Sequence, residues 1–229
     1  MEIKVDFYAR SSESHPNLRG FANLTVGGIK IDNVAITETD VGMGKKRINW
    51  QVPSRPVENN EGKTIYIPCF EIKGSEEKSQ DAGKIISSIR GTIEEAMKAE
   101  PNEFKAQSAT KEVEVEYDQE KVTSYTNPVQ SDNNPNLRAF ASIYVGSILR
   151  INNVALTEYE KDGQSQAGLN FMSRQVQNKE GNQEYKEQVY PIVKGMREKM
   201  KEATVNSYFY EMKQQEKQNV KQKSEGEEM

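Results

Sequence analysis

Two arginines, Arg55 and Arg174, each follow a serine at corresponding places, in Val52-Pro53-Ser54-Arg55 and Phe171-Met172-Ser173-Arg174. A planar guanidinium fork binds phosphate and carboxylate alike, so each fits either a phosphate contact or a carboxylate partner that holds a loop. Lys45-Lys46-Arg47 is the densest basic run, next to Asn49 and Trp50. A basic loop beside an aromatic can grip phosphate and stack a base. The alternative is a solvated loop with Trp50 on a buried strand face, where Leu169 stands in the matching position. Lys194, Arg197 and Lys201 are three and four residues apart and share one face if helical. That stripe suits phosphate contacts or an ordinary solvated helix face. Arg19 and Arg138 also recur, each after Pro-Asn-Leu, and are expected to make structural ion pairs.

Catalysis has little to draw on. The single histidine, His15, lies in a polar run, and without a second one the usual nucleophile–base relays lack their base. The single cysteine, Cys69, excludes an intrachain disulfide and a cysteine-based zinc site, and its alternation with Ile65 and Ile67 predicts a buried structural thiol. The adjacent carboxylates Glu76-Glu77 and Glu94-Glu95 point different ways, and Val26-Gly27-Gly28 lacks the Lys-Ser/Thr of a phosphate-binding loop. No enzyme, cofactor or metal is expected. The net charge of −4 gives no global attraction to nucleic acid and leaves room for a local basic patch. With no membrane-length apolar run and no apolar signal region at the N-terminus, a soluble cytoplasmic protein is expected.

These residues sit in a chain of 229 that is written twice. Residues 16–27, from Pro16-Asn17-Leu18-Arg19, return as residues 135–146, from Pro135-Asn136-Leu137-Arg138. The echo continues from Ile31-Asp32-Asn33-Val34 to Ile151-Asn152-Asn153-Val154, with one residue gained in the hairpin between. In the first copy, alternation predicts strands over 2–10, 18–26, 29–36, 48–52 and 64–72, with a Gly27-Gly28 turn and a bulge at Asn33. The period then changes. Ala82, Ile85, Ile86, Ile89, Ile93, Ala96 and Met97 form a helical stripe, with Ser79 or Asp81 as N-cap. The second copy repeats the plan, with Gly146-Ser147 at the turn and Pro191 in the first turn of a longer helix. Ile192, Val193, Met196, Met200, Ala203, Tyr208, Phe209 and Met212 make its stripe.

The fold class expected is α+β: two similar small domains, each an antiparallel meander of about five strands followed by an amphipathic helix. The first repeat takes residues 1–100 and the second 120–213. Residues 101–119 form a linker or edge strand, and 214–229 a polar, frayed tail.

The ordered set resembles the SpoVG family of small bacterial regulators linked to septation and sporulation. The resemblance is carried by Phe21-Ala22-Asn23-Leu24-Thr25-Val26, Asp32-Asn33-Val34-Ala35-Ile36, Val52-Pro53-Ser54-Arg55 and Ile89-Arg90-Gly91-Thr92-Ile93-Glu94-Glu95-Ala96. Each has a counterpart in the second copy, and together they span most of the chain. The resemblance implies a non-catalytic nucleic-acid-binding protein that works as a homodimer. It places binding at Arg55 and Arg90 in the first copy and at Arg174 and Arg197 in the second. The family's loop lysine is missing from both copies. Two copies on one chain imply an intramolecular pseudo-dimer that is a monomer in solution, with DNA or RNA as partner. A scaffold or protein-interaction module that kept the fold alone is the alternative.

Overall fold

The computed structural model describes residues 1–58, 61–73, 78–99, 105–178 and 180–226, with side chains described up to residue 218. Glu76-Glu77, Pro101 and the last three residues lie outside these. The architecture is α+β, with antiparallel strands and two helices among the described residues.

The first half opens with a meander of β1 (Glu2–Ala9), β2 (Leu18–Val26), β3 (Ile29–Asp40) and β4 (Lys46–Gln51). Alternation buries Ile3, Val5 and Phe7 on β1 and Ala22, Leu24 and Val26 on β2, leaving the intervening residues on the outer face. Gly27 and Gly28 take φ of 54° and 83°, the positive values that a two-residue hairpin with right-handed twist requires. Ala22 faces Val34 while Leu24 faces Ile31, so β3 carries one extra residue, and Asn33 has φ of 64° at that bulge.

The second half repeats this plan with β9 (Val122–Pro128), β10 (Leu137–Val145), β11 (Leu149–Lys161) and β12 (Gln164–Asn170). Its bulge falls at Asn153, φ 55°, and the added residue of its hairpin is Ile148. The two recurring arginines form ion pairs as expected, Arg19 to Glu38 at 2.8 Å and Arg138 to Glu158 at 2.7 Å.

The segment after the fourth strand departs from a simple meander. Residues 64–72 split at Cys69. A hairpin of β5 (Ser54–Glu58) and β6 (Thr64–Pro68) precedes a short β7 (Phe70–Ile72), which pairs with β11 of the second half. The second half returns the exchange: a hairpin of β13 (Ser173–Gln177) and β14 (Gln183–Glu187) leads to β15 (Val189–Pro191), which pairs with β3. In each case the long third strand bends at its bulge. The fourth strand covers only the part beyond it, and the bare stretch before it, Ile29–Ile31 or Leu149–Ile151, is completed by the other half. Matching backbone bonds flank the two junctions, Asn152 N–H to Cys69 O at 3.0 Å and Asp32 N–H to Gln188 O at 2.8 Å.

The joining segment supplies β8 (Gln107–Glu112), an edge strand on β1. Beyond it Val113 and Val115 turn inward and Glu114 and Glu116 outward. Tyr117 ends this run, wedged between the two hairpin turns. A Cβ at Gly27 or Gly146 would lie 2.8 or 2.4 Å from its ring, so neither turn tolerates a side chain. Its hydroxyl donates to Gly27 O at 2.6 Å, and burial raises its pKa. Buried residues from both halves form one continuous core.

Helix α1 (Ser79–Lys98) packs on β1 and β8 and buries Ala82, Ile85, Ile89, Ile93 and Ala96 as the stripe predicts. Its N-cap is Lys78, without a side-chain cap bond, so Ser79 and Asp81 fall one and three residues inside the helix. Helix α2 (Met196–Gly226) packs chiefly on β9. Pro191 ends β15 and starts no helix. A proline tolerates that edge position because the next N–H, that of Ile192, makes the bond to Gly28 O at 2.9 Å. The helix runs through 214–226, where the sequence reads a tail. Its buried residues are Met196, Met200 and Thr204, while Ile192 and Phe209 are exposed. No helix is long and apolar enough to cross a membrane among the described residues.

Candidate functional site

The sequence-derived cations are spread over several elements. Lys45 is exposed in the β3–β4 turn, while Lys46 and Arg47 open β4. Lys46 meets Glu38 at 2.7 Å, and with Arg19 it holds that carboxyl below the usual carboxylate range. Trp50 is half-buried and packs on the core. Arg90 is half-buried on α1, its Nε without an acceptor among the described residues. Lys194 is exposed in the turn before α2, not in the helix, so it does not continue the stripe of Arg197 and Lys201. Lys201 pairs with Glu198 at 2.7 Å. Arg197 pairs with Glu187 and lies 4.8 Å from the centre of the Phe171 ring.

Arg55 and Arg174 stand on the two hairpins, not in loops, and both are exposed. Their settings differ. Arg55 reaches across to the second half, with its guanidinium 5.1 Å from the centre of the Phe140 ring. Such a contact contributes about 0.5–1 kcal/mol at an exposed site.

That contact marks a cleft of about 320 Å³ on the outer face of the second-half sheet, where Ile67 of the first-half hairpin meets β9, β10 and β11. Register builds its floor: Tyr125 faces Ser142, Asn127 faces Phe140 and Tyr144 faces Arg150, all on the side away from α2. Tyr125 is 69% exposed, and its ring meets Tyr144 edge-on at 5.7 Å and 82°. The Arg150 guanidinium lies 5.4 Å from the Tyr144 ring centre. Glu71, from the exchanged strand β7, takes Arg150 at 3.4 Å and the amide of Asn152 at 2.8 Å. Asn152 also donates to Pro68 O at 3.0 Å. Beneath the cleft, Asn153 Nδ2 and Arg150 Nε are sealed from solvent and have no acceptor among the described residues.

No family model, curated protein or solved structure matches the chain. The chemistry of the cleft therefore rests on its own residues.

The corresponding face of the first-half sheet is different. Asp6 stands where Tyr125 does, Thr25 where Tyr144 does, and Lys30 and Asp32 where Arg150 and Asn152 do. Lys4 pairs with Asp6 at 3.4 Å and Lys30 with Asp32 at 3.7 Å, so the charges there neutralise one another.

Of the residues the sequence singled out, Arg55 comes nearest this cleft, against its lining residue Phe140. Tyr125, Phe140, Tyr144, Arg150 and Asn153 were not singled out. A tyrosine in an alternating strand reads as core-facing by type, and only the register shows which face it occupies. Cys69 is buried as predicted, and burial pushes its thiol up to about 12.

Proposed function

We propose that the chain is a non-catalytic, SpoVG-like nucleic-acid-binding regulator in which two repeats reproduce the family homodimer within one polypeptide. The observation that carries the pairing is the reciprocal exchange, β7 into the second-half sheet and β15 into the first, at equivalent registers. A homodimer exchanging one strand per subunit becomes this arrangement when its subunits are joined, and the joined halves are free to diverge. On this reading the first repeat occupies residues 1–100 and the second 120–213, and the chain is a monomer of 26.0 kDa.

Nucleic-acid binding is supported by cations that keep exposure, namely Arg55 and Arg174 on the hairpins, Lys45 before β4, Arg47 within it, and Lys194 before α2. With a net charge of −4, binding on this reading falls to a local basic patch. The test is a titration of labelled single- and double-stranded DNA and RNA at low and raised salt. Micromolar or tighter binding that weakens as salt rises is expected, because phosphate contacts release counterions. No binding at low salt overturns the proposal.

One set of contacts favours the scaffold reading. Lys46, Arg197 and Lys201 are already engaged by Glu38, Glu187 and Glu198 and are less available to phosphate.

A further inference from the structure

We infer that the cleft on the outer face of the second-half sheet binds an unstacked base of a single-stranded nucleic acid, and that the chain carries one such site, not two. The inference rests on the nucleic-acid reading above and names its substrate and place.

Base recognition in single strands needs an exposed aromatic face, neighbouring cations for the backbone, and polar groups for the base edge. Tyr125 supplies the face, with its ring orientation braced by the edge contact to Tyr144. Arg55, from the first half, lies against the ring of Phe140, which lines the cleft, and Arg150 lines the cleft itself. Asn127, exposed on the floor beside Phe140, offers amide donors to the edge of a base. Base carbonyls, ring nitrogens and phosphate oxygens are acceptors, whereas a sugar ligand asks for carboxylates to receive its hydroxyls. The one carboxylate from the exchanged strand, Glu71, is occupied by Arg150 and Asn152. A volume of about 320 Å³ lies at the small end of ligand pockets, suited to a single base and too small for a duplex groove reader.

The site is composite. Its floor belongs to β9, β10 and β11 and its wall to the β5–β6 hairpin, which is delivered by the exchange of β7. The symmetry-related surface cannot do the same work. Asp6 removes the stacking ring and adds a negative charge, and Lys186 stands in the place of Ile67.

Fluorescence polarisation of a short mixed-sequence single-stranded DNA, its RNA counterpart and the matching duplex tests this. The single strands are expected to bind tighter than the duplex. Tyr125→Ala is expected to weaken single-strand binding by about tenfold or more, the usual range for one stacked base. Tyr125→Phe keeps the ring and the affinity, and Asp6→Ala on the other face leaves affinity unchanged. Melting temperatures of the variants confirm folding. If single strands bind and both Tyr125→Ala and Arg55→Gln bind equally well, the cleft is overturned and the general nucleic-acid reading stands. Preference for the duplex has the same consequence. Binding of no nucleic acid overturns both.

Discussion

On the outer face of the second-half sheet, Tyr125, Phe140 and Tyr144 stand where the first-half sheet has Asp6, Phe21 and Thr25. The strands and bulges beneath them follow one plan, with a residue added in the second hairpin, so backbone plan and surface chemistry have separated. The inner faces have separated too. Helix α1 lays Ile85, Ile89 and Ile93 over a sheet face lined by Ile3, Val5 and Phe7. Helix α2 instead sets Thr204 on Ser124 at 3.2 Å and Ser207 on Thr126 at 3.2 Å. What the two copies hold in common is what packing and exchange require, namely the turn beside Tyr117, the bulge that bares the third strand, and the short strand that fills the gap. At the outer-face positions of Tyr125 and Tyr144 and in the helix seats the copies differ, while the arginine–glutamate pairs at the strand starts are kept.

The largest effects should come from the apolar helix seat. Ile89→Ala is expected to cost about 2–5 kcal/mol, read as a fall in melting temperature. Thr204→Ala, on the other helix, should cost about 1 kcal/mol, because a hydroxyl bond contributes less than a buried branched side chain. Equal losses at the two sites would break the contrast between the helix seats.

The exchange seams differ in the same direction. Glu71→Ala strips Arg150 and Asn152 of their shared acceptor and should cost about 1–3 kcal/mol. Across the other seam, Tyr190→Phe removes one 3.3 Å bond to Asp32 and should cost about 1 kcal/mol or less. Chemical denaturation measures both, and a larger loss at Tyr190 would reverse the ranking of the seams.

Two smaller effects sharpen the likeness of the halves. Cys69 sits at the first junction with its thiol protonated up to about pH 12, so a thiol reagent near pH 8 should react only on unfolding. Fast labelling of the native protein would show the junction open. Glu38 is lowered by hydrogen bonds from Arg19 and Lys46, and Glu158 by those from Ser165 and Arg138. Each folded-state pKa lies below the unfolded one. The stabilisation is therefore complete above about pH 4.3 and lost as pH falls through the lowered folded values. Arg19→Ala should lower stability slightly at neutral pH and leave the acid end unchanged, so that the acid limb of the curve flattens.

Much of this plan is legible in the sequence. Gly27-Gly28 and Asn33 announce the turn and the bulge because few residues accept positive φ, and the repeat doubles that evidence. The exchange is not legible. A period-two run fixes which residues face inward and says nothing about which sheet edge it joins, so residues 64–72 read as a local fifth strand. Pro191 reads as a helix start because proline suits a first turn as well as a strand end. The cleft depends on residues from both halves meeting, which no local pattern encodes. Charge marks Lys45, Lys46, Arg47 and Lys194 in the sequence, while Tyr125 sits in a polar strand where no local pattern marks it.

The most direct measurement is photo-cross-linking of a single strand bearing 4-thiouridine, with the modified peptide identified by mass spectrometry. Adducts on the peptides carrying Tyr125 and Phe140, with none on the Asp6 strand, are the predicted result. Adducts confined to Lys45–Arg47, or shared equally by the two sheet faces, would contradict it.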